Sequence, residues 1–248
     1  MVSLNSMRGD FLLLKLTDKD ILLIVDIQKR YCGNFNIDYI EKVYTFLNKY
    51  PFQEIRCIVD VFRKEAKGEY IPAFIEEYLT HPVIFKQYSD DFPDYMIREK
   101  GQELYKTHIQ HKPETSAYFE LDGGFLFSLL TDHNHRYFEY LTQEFADVLR
   151  GWKEKNKRIH LIGGGYDKCV LVTKKILDVL GIENIRYKCF CYEIQPWEDR
   201  VESMFECCKK HISKYPPELI NRFKKDIRWV FVKNKDEKLI KYLKEESS

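Results

Sequence analysis

The stretch that most constrains the fold is residues 158–181, with the sequence RIHLIGGGYDKCVLVTKKILDVLG. It predicts a short apolar strand, a turn of three glycines and an amphipathic helix whose first turn holds Cys169. A thiol in that position faces the unpaired N–H groups and the positive end of the helix dipole, which favour the thiolate. The stretch therefore predicts a reactive cysteine, although most single cysteines are small buried apolar residues.

Apolar runs alternate with helical patterns along the whole chain. Residues 21–27 and 55–61 are near-continuous apolar runs, which suit central parallel strands buried on both faces. Further strands are expected at residues 103–110, 158–163, 184–191 and 229–232. Helices are expected at residues 37–50, 70–78, 125–130, 137–153, 167–180, 198–212, 217–225 and 235–244. The alternation predicts an α/β fold, with a six-stranded, mostly parallel sheet between two helical layers, in one domain over residues 1–248.

Composition excludes several classes of function. The chain has 40 Lys and Arg residues against 39 Asp and Glu residues, which disfavours binding to nucleic acid by phosphate neutralisation. No apolar run approaches the length of a membrane span, and no signal peptide is predicted. The seven cysteines show neither CxxC nor a zinc-binding spacing, which indicates reduced thiols in a cytoplasmic protein.

Three chemically useful side chains follow predicted strands. In open parallel sheets, functional groups gather beyond the carboxyl ends of the strands, where we expect Asp26, Lys112 and Cys169 to meet. Cys169 would attack an electrophilic carbon, and Asp26 would take the thiol proton and return it to the leaving group. Lys112 would stabilise negative charge on sulfur. The N–H groups around Gly164, Gly165 and Cys169 would bind the developing oxyanion.

Three motifs, in order, resemble those of the isochorismatase-like cysteine hydrolases, which include the nicotinamidases. They are ILLIVDIQKRY, KPETSAYF and GGGYDKCV, within residues 21–191. The matched positions are Asp26, Gln28, Tyr31, Lys112, Ser116, Ala117, Tyr118, Gly163, Cys169 and Val170.

The resemblance implies a six-stranded parallel sheet and an Asp26–Lys112–Cys169 triad that cleaves a C–N bond of a small amide through a thioester. It also implies a cis peptide before the nucleophile, here between Gly164 and Gly165, and it suggests a homo-oligomer. A small-molecule substrate and no cofactor are expected.

The chain departs from the family at several positions. Tyr166 stands where the family has a threonine, so a bulkier group is expected at the edge of the pocket. Nicotinamidases begin their metal site with Asp-x-His, whereas this chain has Phe62 two residues after Asp60, and a phenyl ring is no ligand. No metal is therefore predicted. Residues 122–157 and the segment after residue 191 are longer than the family pattern, which enlarges the C-terminal half.

Two other functions stay open at this point. The first is a binding or scaffold protein that keeps the pocket without turnover, which Tyr166 and the enlarged C-terminal half favour. The second is vinyl-ether hydrolysis of the isochorismatase type, in which the carboxylate does the chemistry and Cys169 has no assigned part. Tyr31 and Tyr118 fit substrate contact and core packing equally well.

Overall fold

Two separate β-sheets frame the computed structural model, which describes residues 14–28, 31, 37–60, 71–86, 94–108, 116–121, 124–130 and 136–193. The elements in chain order are β1 (Asp20–Val25), α1 (Ile37–Lys49), β2 (Glu54–Val59), α2 (Ala73–Glu76), β3 (Ile84–Phe85), α3 (Asp94–His108), β4 (Ala117–Leu121), β5 (Gly124–Leu130), β6 (Arg136–Thr142), α4 (Gln143–Glu154), β7 (Arg158–Gly163), α5 (Cys169–Val179) and β8 (Glu183–Cys191). The larger sheet has five parallel strands in the order β3-β2-β1-β7-β8, and the smaller is antiparallel in the order β4-β5-β6. None of the helices within these ranges is long and apolar enough to cross a membrane.

Strand β1 lies at the centre of the parallel sheet and is buried along its whole length. Successive side chains of a strand point to opposite faces. Leu22 and Ile24 therefore join the cluster that α1 covers, while Ile21, Leu23 and Val25 join the cluster formed with β5, α4 and α5. Two covered faces explain why this strand is an unbroken apolar run in the sequence.

Seven predicted elements are confirmed, and one predicted strand is wrong. The confirmed elements are β1, β2, β7, β8, α1, α2 and α5, within a few residues of the expected bounds. Residues 103–110 were expected to form the third strand, but residues up to His108 belong to helix α3. The third strand is Ile84–Phe85, which pairs with β2 through only two residues. A strand of that length leaves no periodicity in the sequence.

Two predicted helices are also wrong, in whole or in part. Residues 125–130 form strand β5, and residues 137–142 form strand β6 before α4 begins. In β5, residues 124–129 are all buried, because both faces of this central strand are covered. A short run that is apolar throughout does not distinguish strand from helix. The start of α4 is fixed by Thr142, whose Oγ1 accepts a hydrogen bond from the N–H of Phe145.

The expected sixth strand at 229–232 and the expected helices after residue 193 lie outside the described residues. The five described parallel strands thus establish the α/β class and leave the six-stranded count as an expectation.

A polar cluster joins three strands of the parallel sheet near their amino-terminal ends. Asp20 on β1 accepts hydrogen bonds from Arg158 and His160 on β7, and the other ring nitrogen of His160 lies 2.7 Å from the Tyr187 hydroxyl on β8. Burial lowers the pKa of His160, so the neutral ring donates from Nε2 to Asp20 and accepts at Nδ1 from Tyr187. These bonds tie three strands together at the edge opposite the catalytic candidates.

Gly163, the last residue of β7, is required by a close approach of two strands. Its φ is +121°, and a Cβ atom there would lie 2.0 Å from the carbonyl oxygen of Val25. Only glycine lets β7 pass this close to the end of β1. The first of the three glycines is therefore a packing requirement.

We expect Gly163→Ala to lower the free energy of unfolding by about 1–3 kcal/mol from its backbone conformation alone, with the clash adding to that loss. The matched control is Gly151→Ala in α4, where an added Cβ would meet nothing within 4 Å. That change should raise the free energy of unfolding by about 0.5–1 kcal/mol. Urea midpoints of the two variants measure both effects, and equal midpoints would contradict the assignment.

Candidate functional site

Four side chains meet at the carboxyl ends of the parallel strands, where such sheets place their functional groups. Asp26 directly follows β1, Asp60 follows β2, Lys86 follows β3, and Cys169 opens the helix after β7. Two of the three predicted catalytic residues, Asp26 and Cys169, are thus brought together. The other two members of the group, Asp60 and Lys86, were not among the predicted catalytic residues.

The carboxylate of Asp26 is held in one orientation by three donors. Its Oδ2 accepts from the Lys86 ammonium at 2.6 Å, and its Oδ1 accepts from Gln28 Nε2 at 3.0 Å and from the Asp60 N–H at 3.1 Å. Its own carbonyl oxygen accepts from the Tyr192 hydroxyl at 2.6 Å. The residue is fully buried with φ at +52°, a left-handed conformation that a non-glycine residue keeps only when its surroundings fix it.

Lys86 is a buried ammonium that bridges two carboxylates. Its Nζ lies 2.6 Å from Asp26 Oδ2 and 3.0 Å from Asp60 Oδ1. Burial by itself lowers the pKa of Lys86, but the charges of Asp26 and Asp60 overcome this effect and raise the pKa well above its usual value. The lysine is therefore charged throughout the physiological range.

The pKa of Asp26 is raised to about 6, chiefly by burial and then by the neighbouring charge of Asp60. The charge of Lys86 and the hydrogen bonds from Lys86 and Cys169 act in the opposite direction. A carboxyl group with a pKa close to neutrality can both accept and return a proton. Asp26 is thus suited to acid–base work.

The thiol of Cys169 is protonated at rest, which corrects the expectation of a preformed thiolate. Burial and the charge of Asp26 raise the pKa of Cys169 far above its usual value, although Lys86 opposes them. Cys169 Sγ lies within 4.8 Å of an Asp26 carboxylate oxygen, so the protonated thiol faces the group that can take its proton. The arrangement is a thiol poised beside its base.

Lys112, the lysine predicted from the sequence, lies outside the described residues, so its role stays a prediction. Lys86 holds the position beside Asp26 that Lys112 was expected to hold. Lys86 also lies at a strand end, where functional groups are expected. The sequence does not predict this position, because a two-residue strand leaves no recognisable pattern.

The predicted oxyanion donors divide into two kinds. The N–H of Gly164 donates to the Val25 carbonyl at 2.6 Å, so this amide is engaged within the fold. Its missing side chain matters nonetheless, because a Cβ there would lie 3.3 Å from the Cβ atoms of Asp26 and Cys169. Within the described part of the chain, the N–H groups of Gly165 and Cys169 have no backbone acceptor. These two amides fit the oxyanion role.

The expected cis peptide between Gly164 and Gly165 is wrong, since the described residues contain only trans peptides. The trans form is favoured for a non-proline residue by about 3 kcal/mol. Here it is compatible with both neighbouring hydrogen bonds, from the Gly164 N–H to Val25 and from the Val170 N–H to the Gly165 carbonyl. No cis bond is needed to bring Cys169 to Asp26.

Tyr166 lies beside two cationic side chains on β8. The Arg186 guanidinium lies 4.2 Å from its ring centroid, and the Lys188 ammonium lies 5.8 Å from it. Arg186 also donates to the Tyr166 carbonyl oxygen at 3.0 Å. Tyr166 is thus held beside a positively charged part of β8, three positions before Cys169.

The other two tyrosines named as substrate contacts, Tyr31 and Tyr118, both make aromatic contacts in the described structure. The Tyr31 ring lies 6.5 Å from that of Tyr192, whose hydroxyl supports Asp26 from behind. Tyr118 is partly exposed on β4, and its ring contacts Phe125 and Phe127 of the antiparallel sheet. Among the described contacts, none joins Tyr118 to Cys169.

Glu139 on β6 was missed by the sequence interpretation. It is only 2% exposed, and its Oε2 has no hydrogen-bond partner among the described residues. Burial raises its pKa to about 7, with Asp60 and Asp26 adding to the shift and Lys86 opposing it. The only signal in the sequence is an acidic residue inside the aromatic run RYFEYLT.

Asp26, Asp60 and Cys169 offer metal-ligating atoms that all lie within 4.8 Å of one another. The Lys86 ammonium, however, lies within 3.0 Å of both carboxylates, in the space that a cation would take. A divalent ion there would face a buried positive charge. The side chains thus fit a built-in ammonium better than a metal.

Comparison of the chain with protein-family models, with curated proteins and with solved structures finds no match. The resemblance to the isochorismatase-like hydrolases therefore rests on the three motifs.

We expect Lys86→Met to lower the free energy of unfolding at pH 8 by about 3–5 kcal/mol, because two buried carboxylates lose their counter-charge. The loss should shrink at pH 5, since the pKa of Asp26 rises further without the ammonium and its protonated form needs no partner. Urea denaturation at the two pH values measures this dependence.

The matched variant is Lys112→Met, which tests the sequence prediction directly. If Lys112 takes no part in the buried ion pairs, its loss should change the free energy of unfolding by no more than about 0.5 kcal/mol at both pH values, as for a surface substitution. A pH-dependent loss in Lys112→Met, with none in Lys86→Met, would overturn the assignment of Lys86.

Proposed function

We propose that this protein is a metal-independent cysteine hydrolase of the isochorismatase-like type, which cleaves a C–N bond of a small amide through a thioester on Cys169. The observation that carries the proposal is the Asp26 carboxylate, which accepts a hydrogen bond from the Lys86 ammonium at 2.6 Å and lies within 4.8 Å of the Cys169 sulfur. A thiol, a base with a near-neutral pKa and a fixed positive charge are the groups that such a reaction needs.

In the first step, Cys169 Sγ bonds to the amide carbon while its proton passes to Asp26. Negative charge develops on the former carbonyl oxygen, where the N–H groups of Gly165 and Cys169 would receive it. Lys86 keeps its proton throughout and stabilises charge on sulfur and on Asp26. Activating the thiol only at the moment of attack agrees with its raised pKa.

In the second step, protonated Asp26 gives its proton to the amide nitrogen, the C–N bond breaks, and the amine leaves a thioester on Cys169. Water then attacks the thioester, and Asp26 takes one of its protons. When the C–S bond breaks, that proton returns to sulfur and a carboxylic acid is released. Asp26 ends each cycle as the carboxylate with which it began.

The finer features of the fold belong to the same proposal. Residues 229–232 would add the sixth strand to the five described, in one domain with an enlarged C-terminal half. A small-molecule substrate, no bound cofactor, homo-oligomeric assembly and a cytoplasmic location are further parts of the proposal.

Vinyl-ether hydrolysis is the second candidate, and the raised pKa of Asp26 favours it. A carboxyl group with a pKa of about 6 is partly protonated near neutral pH, so it can donate a proton to a vinyl carbon. The two candidates differ in their need for Cys169. The amidase loses its nucleophile in Cys169→Ala, whereas the vinyl-ether hydrolase keeps its acid.

We expect Cys169 to be acylated by p-nitrophenyl acetate, an activated ester, and the acetyl group to be released by water at neutral pH. Intact-protein mass spectrometry should show one added acetyl group, which is absent in Cys169→Ala and present in Cys189→Ala. Cys189 is the matched control because it is an exposed cysteine on β8. Acetylation that persists in Cys169→Ala and disappears in Cys189→Ala would contradict the proposal.

The rate of this acylation should rise with pH and level off above a pKa of about 6, because only the Asp26 carboxylate can take the thiol proton. Below that pH, Asp26 is protonated and the rate falls. In Asp26→Asn we expect a rate roughly 100-fold lower at pH 7.5, with the step near pH 6 lost. Stopped-flow release of p-nitrophenol from pH 4.5 to 8.5 measures both profiles. A step near pH 6 that survives in Asp26→Asn would exclude Asp26 as the base.

A further inference from the structure

Glu139 reaches the neighbourhood of the site from the other sheet. It pairs with Phe127 across β5–β6, and both residues are buried. Three residues later, Thr142 docks this strand on β3, since its N–H donates to the Lys86 carbonyl at 3.2 Å and its Oγ1 donates to the Phe85 carbonyl. The antiparallel sheet is thus fastened to the residue that carries the buried ammonium.

The Glu139 carboxyl group is buried, and one of its oxygens is unpaired. Tyr137, two residues before it on the same strand, lowers its pKa, while Oε2 has no hydrogen-bond partner in the part of the chain that the structure describes. Burying a polar atom without a hydrogen-bond partner destabilises the folded protein. Such an atom, beside a group of catalytic side chains, indicates a donor that arrives with the substrate.

The charges around Glu139 indicate what kind of donor fits. Glu139 is close enough to Lys86, Asp60 and Asp26 for their charges to shift its pKa. On its own strand, the titratable neighbour is Tyr137. Among the described residues, three carboxyl groups, at the ends of β1 and β2 and on β6, therefore face the ammonium of Lys86. When all are ionised, this cluster carries an excess of negative charge, which a cationic group would balance.

We infer that Glu139 binds a cationic nitrogen of the substrate, so that the enzyme acts on small amides that carry an ammonium or guanidinium group. The inference rests on the proposed function for the reaction and adds the substrate class. The cations Arg186 and Lys188 do not oppose it, because they lie on β8, at the opposite edge of the parallel sheet from β3.

The pH dependence of binding follows from the same geometry. Burial raises the pKa of Glu139 to about 7, so the free protein near neutral pH holds both the acid and the carboxylate. A cation binds to the carboxylate, so its affinity should rise as the pH passes upward through about 7. A neutral amide has no such preference.

The test compares ω-amino amides of three to six carbons, beginning with β-alaninamide, with alkyl amides of the same length such as butyramide. Binding is measured by calorimetry in the full chain with Cys169→Ala, so that the result does not depend on turnover. We expect the best ω-amino amide to bind at least tenfold more tightly than its alkyl counterpart at pH 8, with a smaller ratio at pH 6. Failure of every ω-amino amide to exceed its counterpart would overturn the inference.

Glu139→Gln, in the same Cys169→Ala chain, should abolish the preference and leave the binding of the alkyl amide unchanged. Glu139→Asp should restore part of the preference, and circular dichroism confirms that each variant is folded. Glu120→Gln on β4 is the matched control, because that side chain is 70% exposed. An undiminished preference in Glu139→Gln would also overturn the inference. A preserved charge preference without any acylation of Cys169 would instead count against the proposed function alone.

Discussion

The buried ion pair between Lys86 and Asp26 is the interaction on which the site depends. Removing two ions from water costs several kcal/mol for each, and this cost is offset only when geometry and further hydrogen bonds satisfy both groups. Here two hydrogen bonds fix the Lys86 backbone. Its N–H donates to the Val59 carbonyl on β2, and its own carbonyl accepts from the Thr142 N–H. The two-residue strand β3 thus positions the Lys86 ammonium between the carboxylates of Asp26 and Asp60.

The same burial determines how the cysteine works. It raises the pKa of Asp26 towards neutrality and raises the pKa of the Cys169 thiol, so a neutral S–H faces an anionic base. A permanent thiolate would add a further negative charge beside two carboxylates with one ammonium to balance them. Keeping the proton on sulfur until attack avoids that repulsion. The environment therefore favours a base-assisted thiol over a resting thiolate.

The sequence allowed prediction where burial leaves a pattern. Strand β1 is covered on both faces, so its apolar run is unbroken and Asp26 at its end could be found from the sequence. Cys169 could be found because the glycines from Gly163 onward mark the turn into α5. Lys86 follows only two paired residues, and β5 is buried on both faces without alternation. Glu139 could not be found, because contact between two sheets that are distant in sequence decides its importance.

The division of the site between two sheets has a chemical consequence. On the proposed function, the nucleophile, base and ammonium all come from the ends of parallel strands, whose register is fixed by the central β1 and by the cluster at Asp20. The group assigned to the substrate's charge comes from the antiparallel sheet, which joins the first through Thr142. A substitution on β6 should therefore change which substrate charge the site prefers without moving Asp26 or Cys169. Under this proposal, the reaction and the substrate selectivity depend on different sheets, and the contact between the sheets at Lys86 couples the charges of the two.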